Sequence, residues 1–355
     1  MWREARSDLS KWEVWPSMNS RRADMVPFID MHCDTLTQAN MHFQHDLYQL
    51  PLEMLDIVKL KKGGAKAQFF AICLPKLPTV KALGGLYEGD WKHIRRLAGI
   101  LQNTCRLHPD HIAMCTGAED LDRAGAEGKI GAFLTIEDGR DINGDMKRLE
   151  LYHRLGVRLI TLTWNYENCF GYPNTPGGKM VSSEKMGRGL TAFGKDAVTE
   201  MNRLGIIIDV SHLSDGGFRD VVEISKKPFV ASHSNCRAIC SHPRNMTDEM
   251  IRMLADKGGV MGLNQYPLFL YDQATESRVD DYLAHIGHIR DVGGIDCIAL
   301  GSDFDGIGRT CRPKMKGPQD YPKLANLLLD NGYTQDEVEK IFWKNAERVI
   351  RDVMN

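Results

Sequence analysis

From Phe28 onward, short apolar runs alternate with amphipathic stretches about eight times. This alternation constrains the fold more than any other feature, because strands that alternate with helices must lie parallel in one sheet. The runs with strand character are Phe28–Asp34, Ala67–Leu74, Gly131–Glu137, Arg158–Trp164, Ile206–His212, Phe229–His233, Gly259–Asn264 and Cys297–Asp303. Between them a helical pattern covers Leu52–Lys62, Trp91–Leu107, Met146–Leu155, Ala192–Leu204, Asp248–Asp256 and Val279–Val292. Gly63, Gly156, Gly205, Gly258 and Gly293 stand where a left-handed residue caps a helix before the next strand.

About eight such units in 355 residues predict an α/β fold, a (β/α)8 TIM barrel of about 250 residues enlarged by loops. No linker or second compositional regime breaks the pattern. The expected organisation is a polar N-terminal extension over residues 1–25 and a single barrel domain over residues 26–355. The extension carries Trp2, Trp12 and Trp15, but its Glu4, Asp8, Glu13 and Asp24 are unlike a transit peptide, and no apolar core of a secretory signal follows.

A hydrophobic fraction of 43% suits a packed core, and a net charge of -2 leaves no basic face for nucleic acid or anionic lipid. No apolar run approaches the roughly 20 residues that span a bilayer, so a soluble protein is expected. The nine cysteines are odd in number and scattered, which is thiol usage for a reducing compartment and points to the cytoplasm. The Cys236/Cys240 pair near His242 reads better as core thiols than as a metal knuckle.

The strand candidates are apolar in their early parts, and all but Ala67–Leu74 end in His, Asp, Glu, Trp or Asn; a barrel of this kind carries its active site at the carboxyl ends of its strands. Two Gly- and Pro-rich segments, Pro75–Asp90 and Asn165–Leu190, follow strand ends and are expected to wall or cover that site. Within Ile29-Asp30-Met31-His32-Cys33-Asp34, strand alternation sets His32 and Asp34 on one face, about 7 Å apart, as a chelating pair for a divalent metal. Read alone, the pair fits a buried His–Asp contact equally well. Glu137, His212, His233 and Asp303 close four more strand candidates. Imidazole plus carboxylate is zinc-type ligation, open also to Mn, Fe or Co, and six such groups suit two ions better than one. Two close cations lower the pKa of a shared water toward about 7, and a nearby carboxylate can move its proton. Hydrolysis follows more naturally than redox chemistry, since no dinucleotide-binding glycine fingerprint opens the chain.

The motifs IDMHCD, TIEDG, DVSH, SHSN and GSDFDG, in this order, resemble those of the membrane (renal) dipeptidases of the amidohydrolase superfamily, from about Phe28 to the C-terminus. The resemblance implies a zinc-dependent dipeptidase with two Zn2+ per chain. His32 and Asp34 would hold one ion, His212 and His233 the other, Glu137 would bridge both, and Asp303 would stand at the nucleophilic water and shuttle protons. Arg244, eleven residues after His233, would grip the substrate's terminal carboxylate, and Tyr266 would line its pocket. One position departs from the pattern: the family presents a His at the end of the fourth strand, where this chain has Trp164. Asn165 or Asn168 could replace that donor.

Related cyclic amidases, phosphotriesterases and deaminases open with HxH, and the first two bridge their metals with a Lys, so they fit this chain less well. Another amide hydrolase, or a metal-binding homologue with impaired turnover, stays open as an alternative. The expected partner is a dipeptide, with no nucleic acid and no membrane, and a homodimer is compatible with the sequence. His153, His285 and His288 lie in helical patterns and read as surface or inter-helix residues. Asp30 and Asp305 flank the site either as supports for ligands or as structural groups.

Overall fold

The computed structural model describes residues 25–74, 87–180, 182–307 and 311–354. Residues 1–24 of the expected extension and most of the Pro75–Asp90 segment lie outside them. Nine strands are present among the described residues: β1 (Phe28–Asp30), β2 (Ala65–Cys73), β3 (Ile112–Met114), β4 (Ile130–Glu137), β5 (Val157–Thr161), β6 (Ile207–Asp209), β7 (Val230–Ala231), β8 (Val260–Leu263) and β9 (Ile298–Leu300). All pairings are parallel, and eight strands close into a barrel through contacts of β1 with both β2 and β9 and of β2 with β4. The ninth, β3, is an addition. It pairs with Ile130–Ala132 of β4, and β5 takes over the same strand from Leu134 onward.

Alternation along the strands builds two apolar layers. Ile29, Phe69, Phe133, Leu159, Ile207, Val230, Val260 and Ala299 fill the barrel interior together with Val349, Ile350 and Val353 of the helix Asn345–Met354. Outward-facing Phe70, Ile72, Leu134, Ile136, Ile160, Ile208, Met261 and Ile298 pack with the surrounding helices. Each such burial contributes about 1.5–3 kcal/mol. Asn345 fastens the last helix to the barrel, its Nδ2 donating to the carbonyls of Ile295 and Ile298 at 2.8 Å each. The amino end of the barrel is thereby covered by this helix.

The helices Met146–Leu155, Ala192–Leu204 and Asp248–Asp256 have the predicted bounds, and Gly156 and Gly205 adopt the expected left-handed conformation. Gly63 and Gly293 are instead the last helical residues, and Gly64 (φ 82°) and Gly294 (φ 83°) take the positive-φ position.

The main correction concerns strand ends. The ladder stops two to four residues short of the predicted ends at β1, β6, β7 and β9 because buried carboxylates replace its carbonyl acceptors. Asp30 Oδ1 accepts the backbone N–H of His32 (3.1 Å) and of Ser302 (3.0 Å). Asp209 Oδ1 accepts those of Ser211 (3.0 Å) and Ser232 (2.8 Å) in the same manner. His32 and Asp34 therefore do not share a strand face; Asp34 is the N-cap of the helix Thr35–Met41. No helix among the described residues is long and apolar enough to cross a membrane.

Candidate active site

Once released from the ladder, the chain turns sharply at the carboxyl rim. His212 (φ 68°), Asp303 (φ 63°) and Asp138 (φ 77°) all take the left-handed region. That conformation costs a non-glycine residue about 1–3 kcal/mol and clusters at functional sites. Here it turns His212 and Asp303 toward the barrel axis. His32, Asp34, Glu137, His212 and His233 are all buried there.

Three atoms converge. Glu137 Oε1 lies 3.0 Å from His212 Nε2 and 3.5 Å from His233 Nε2, and the two Nε2 atoms are 3.1 Å apart. Ligands about 2.0–2.1 Å from a tetrahedral zinc ion stand about 3.3 Å from one another, which matches this triangle. The opposite ring nitrogens fix the tautomers. Ser232 Oγ donates to Asp209 Oδ2 at 2.6 Å, so it accepts from His233 Nδ1–H at 2.7 Å. Asn165 Oδ1 accepts from His212 Nδ1–H at 3.1 Å. Both Nε2 atoms therefore present lone pairs to each other and to a carboxylate oxygen, an arrangement that a cation resolves.

A second group adjoins the first. His32 Nε2 lies 3.5 Å from Asp34 Oδ2 and 3.9 Å from Asp303 Oδ1, and donor atoms of His32, Glu137 and His233 also fall within 4.8 Å of one another. Among the described residues neither ring nitrogen of His32 has a hydrogen-bond partner, nor has Asp34 Oδ1, though all three are buried. Buried polar atoms are rarely left so, and these donors fit a metal. The local charges agree. Burial, then Asp34 and Asp303, push Glu137 up to about 8. Burial opposes protonation of His32, yet Asp34, Glu137 and Asp303 outweigh it and raise the imidazole to about 10. Burial above all pushes Asp303 up to about 6. The centre is a concentrated negative field facing inward.

The remaining predicted residues surround it. Arg244 is buried, its Nη2 donating to the His233 carbonyl at 3.3 Å, while its Nε and Nη1 have no partner. Its guanidinium sits over the Phe269 ring at 5.3 Å, and Tyr266 meets that ring edge-on at 4.7 Å. Trp164, partly buried, places its ring 6.3 Å from that of His212. The replacement donors suggested for this position are engaged elsewhere. Asn165 holds His212 and accepts from Thr175, and Asn168 Nδ2 donates to Asp138 and to the Leu162 carbonyl. Asp305 is structural, accepting from Thr35 Oγ1 and the Met54 N–H at 2.6 Å each.

Asp209, Ser232 and Asn165 were missed as supports for the ligands. Their signal was the repeated brace in which an aspartate stands two residues ahead of a rim backbone N–H, first at Asp30 and again at Asp209. Cys236 and Cys240 are buried free thiols, and His285 is buried within its helix.

An eight-stranded parallel barrel with clustered histidines and carboxylates at its carboxyl rim defines a metal-dependent hydrolase of the amidohydrolase type. The family model for membrane dipeptidase, peptidase family M19, matches residues 20–355, and the chain belongs to that family of metal-dependent dipeptidases. Among its relatives, the dipeptidase aclJ of Aspergillus oryzae is 29% identical over 339 residues, spanning 92% of this chain and 78% of the relative. An uncharacterized protein in the pqqA 5′ region of Klebsiella pneumoniae is 34% identical over 257 residues, 72% of this chain and 93% of the relative. The crystal structure of a Rhodobacter sphaeroides metallopeptidase, liganded with a phosphinate mimic of the dipeptide L-Ala-D-Ala, has a TM-score of 0.81 and 25% identity, covering 93% of this chain and 100% of that one.

Proposed function

We propose that this chain hydrolyses dipeptides at a binuclear zinc centre. His212 and His233 would hold one ion, His32 and Asp34 the other, and Glu137 would serve both. The reading is supported above all by the convergence of two imidazole lone pairs and the Glu137 carboxylate within 3.5 Å of one another. Zinc in such a setting supplies a water of lowered pKa and polarises the scissile carbonyl.

The protein's own groups do the rest. Arg244 offers two unpartnered N–H directions from a buried guanidinium, a fork suited to the free carboxylate of a short substrate. Asn264 Nδ2 donates to Asp303 Oδ2 at 3.0 Å and leaves Oδ1 facing the centre. From that position Asp303 can take the attacking water's proton and deliver it to the departing amine. Trp164 and Tyr266 wall the pocket and exclude water. The nine free thiols support a reducing compartment.

A panel of dipeptides assayed on zinc-loaded protein, with a chelator control and elemental analysis, tests the reading. Turnover that follows a zinc content of about two ions per chain is the expected outcome. Zinc uptake without turnover of any dipeptide would mark the chain as an impaired homologue.

A further inference from the structure

Glu137 is the last inward residue of β4, and its partner in the ladder of β2 is Cys73, at the same height on the adjacent strand. Cys73 Sγ, an Asp34 carboxylate oxygen and a Glu137 carboxylate oxygen all lie within 4.8 Å of one another. The thiol is free and partly exposed. Asp34 Oδ1 is buried and has no hydrogen-bond partner.

We propose that Cys73, with Asp34 and Glu137, forms a thiophilic subsite within the metal centre that takes a soft divalent cation such as Cd2+. The proposal rests on the reading of Asp34 and Glu137 as ligands. Carboxylate oxygen and imidazole accept many divalent ions, whereas sulfur selects soft ones. On binding, the S–H bond breaks, a sulfur–cadmium bond forms and the proton leaves to solvent. No electron is transferred. A soft cation seated there occupies Asp34 and Glu137 and so competes with the ions that serve catalysis.

Cadmium NMR of the full wild-type chain loaded with Cd2+ tests this without any substitution. A resonance shifted into the sulfur-ligated range is expected, with a thiolate-to-cadmium absorption band in the ultraviolet. In Cys73→Ser, which is checked for folding by circular dichroism, both signals disappear. Cd2+ affinity then falls by about tenfold or more, the scale on which even supporting groups act. Only oxygen- and nitrogen-ligated cadmium in the wild type, or a sulfur signal that persists in Cys73→Ser, would overturn the proposal. A cadmium–sulfur signal in a protein that takes up one zinc supports it while overturning the two-zinc reading.

Discussion

Arg244 donates from Nη2 to the backbone carbonyl of His233 at 3.3 Å. A buried cation whose Nε and Nη1 have no partner among the described residues is thus tied to a residue of the Glu137–His212–His233 triangle, at a fixed offset from it. Burial lowers its pKa to about 10, with Asp303 and Glu137 opposing the shift, so it stays charged at neutral pH. A dipeptide should therefore be measured from its C-terminal carboxylate to its scissile carbonyl. We expect the C-terminal amide of a good substrate to lose about ten- to a hundredfold in kcat/KM, the value of a hydrogen-bonded charged group. Arg244→Ala should abolish that discrimination. Equal treatment of acid and amide by the wild-type enzyme would remove Arg244 from substrate binding.

The Asp209–Ser232 pair should be felt in metal affinity. Asp209→Asn or Ser232→Ala loosens the tautomer of His233, and zinc affinity should fall by about 10–100-fold. Competition titration with a chromophoric chelator measures it. A loss of stability with unchanged affinity would confine Asp209 to its role as a backbone brace.

Removing the metal should also lower thermal stability, since ligands that bind only the native state stabilise it by about 4 kcal/mol at a thousand times their Kd. The melting temperature with and without chelator reads this directly. Restoration by zinc completes the test.

Trp164 contributes an indole, which has one N–H donor and no titrating function in the neutral range. Profiles of kcat/KM against pH for wild type, Trp164→His and Trp164→Ala should separate two roles. The His variant should add an ionisation near neutral pH, and the Ala variant should relax side-chain selectivity by opening the pocket next to His212. If Trp164→Ala matches the wild type on every substrate and at every pH, the indole takes no part in recognition or rate.

His285 makes a prediction about acid. In the fold its Nδ1 accepts the Cys236 N–H at 3.1 Å and its Nε2–H donates to the Leu270 carbonyl at 2.9 Å, so both nitrogens are committed in the neutral ring. Burial holds its pKa down at about 4, against an ordinary value of 6.5. The unfolded chain therefore binds this proton first. Stability is full above about pH 6.5 and is lost as pH falls toward 4, by about 3 kcal/mol in all. His285→Gln should flatten that limb in urea titrations between pH 7 and 4. An unchanged slope would show that the acid sensitivity arises elsewhere.

The barrel was legible because its repeat is long and its apolar runs alternate with capped helices such as Ala192–Leu204. The residues that converge at the rim were legible as residue types at run ends, although His32 and Asp34 do not share the strand face expected for them: hydrophobicity continues past the point where Asp30 ends the ladder. β3 was not legible, since Ile112–Met114 is three residues long and has no separate apolar signature. The support of His212 by Asn165 and of His233 by Ser232 depends on which loops meet, and pattern along one segment carries no such information. Arg244 owes its assignment to spacing in a resemblance, because the sequence alone reads it as a surface cation.

The helix Asn345–Met354 supplies the floor of the barrel from the far end of the chain. A ribosome-bound chain that has already made all eight barrel strands still holds an open cylinder of Phe69, Phe133, Leu159 and Ile207. Its interior lacks the side chains of Val349, Ile350 and Val353 until residues 345–354 emerge. Completion of the core therefore waits for this helix, and any lesion in Val349, Ile350 or Val353 acts on the whole cylinder at once.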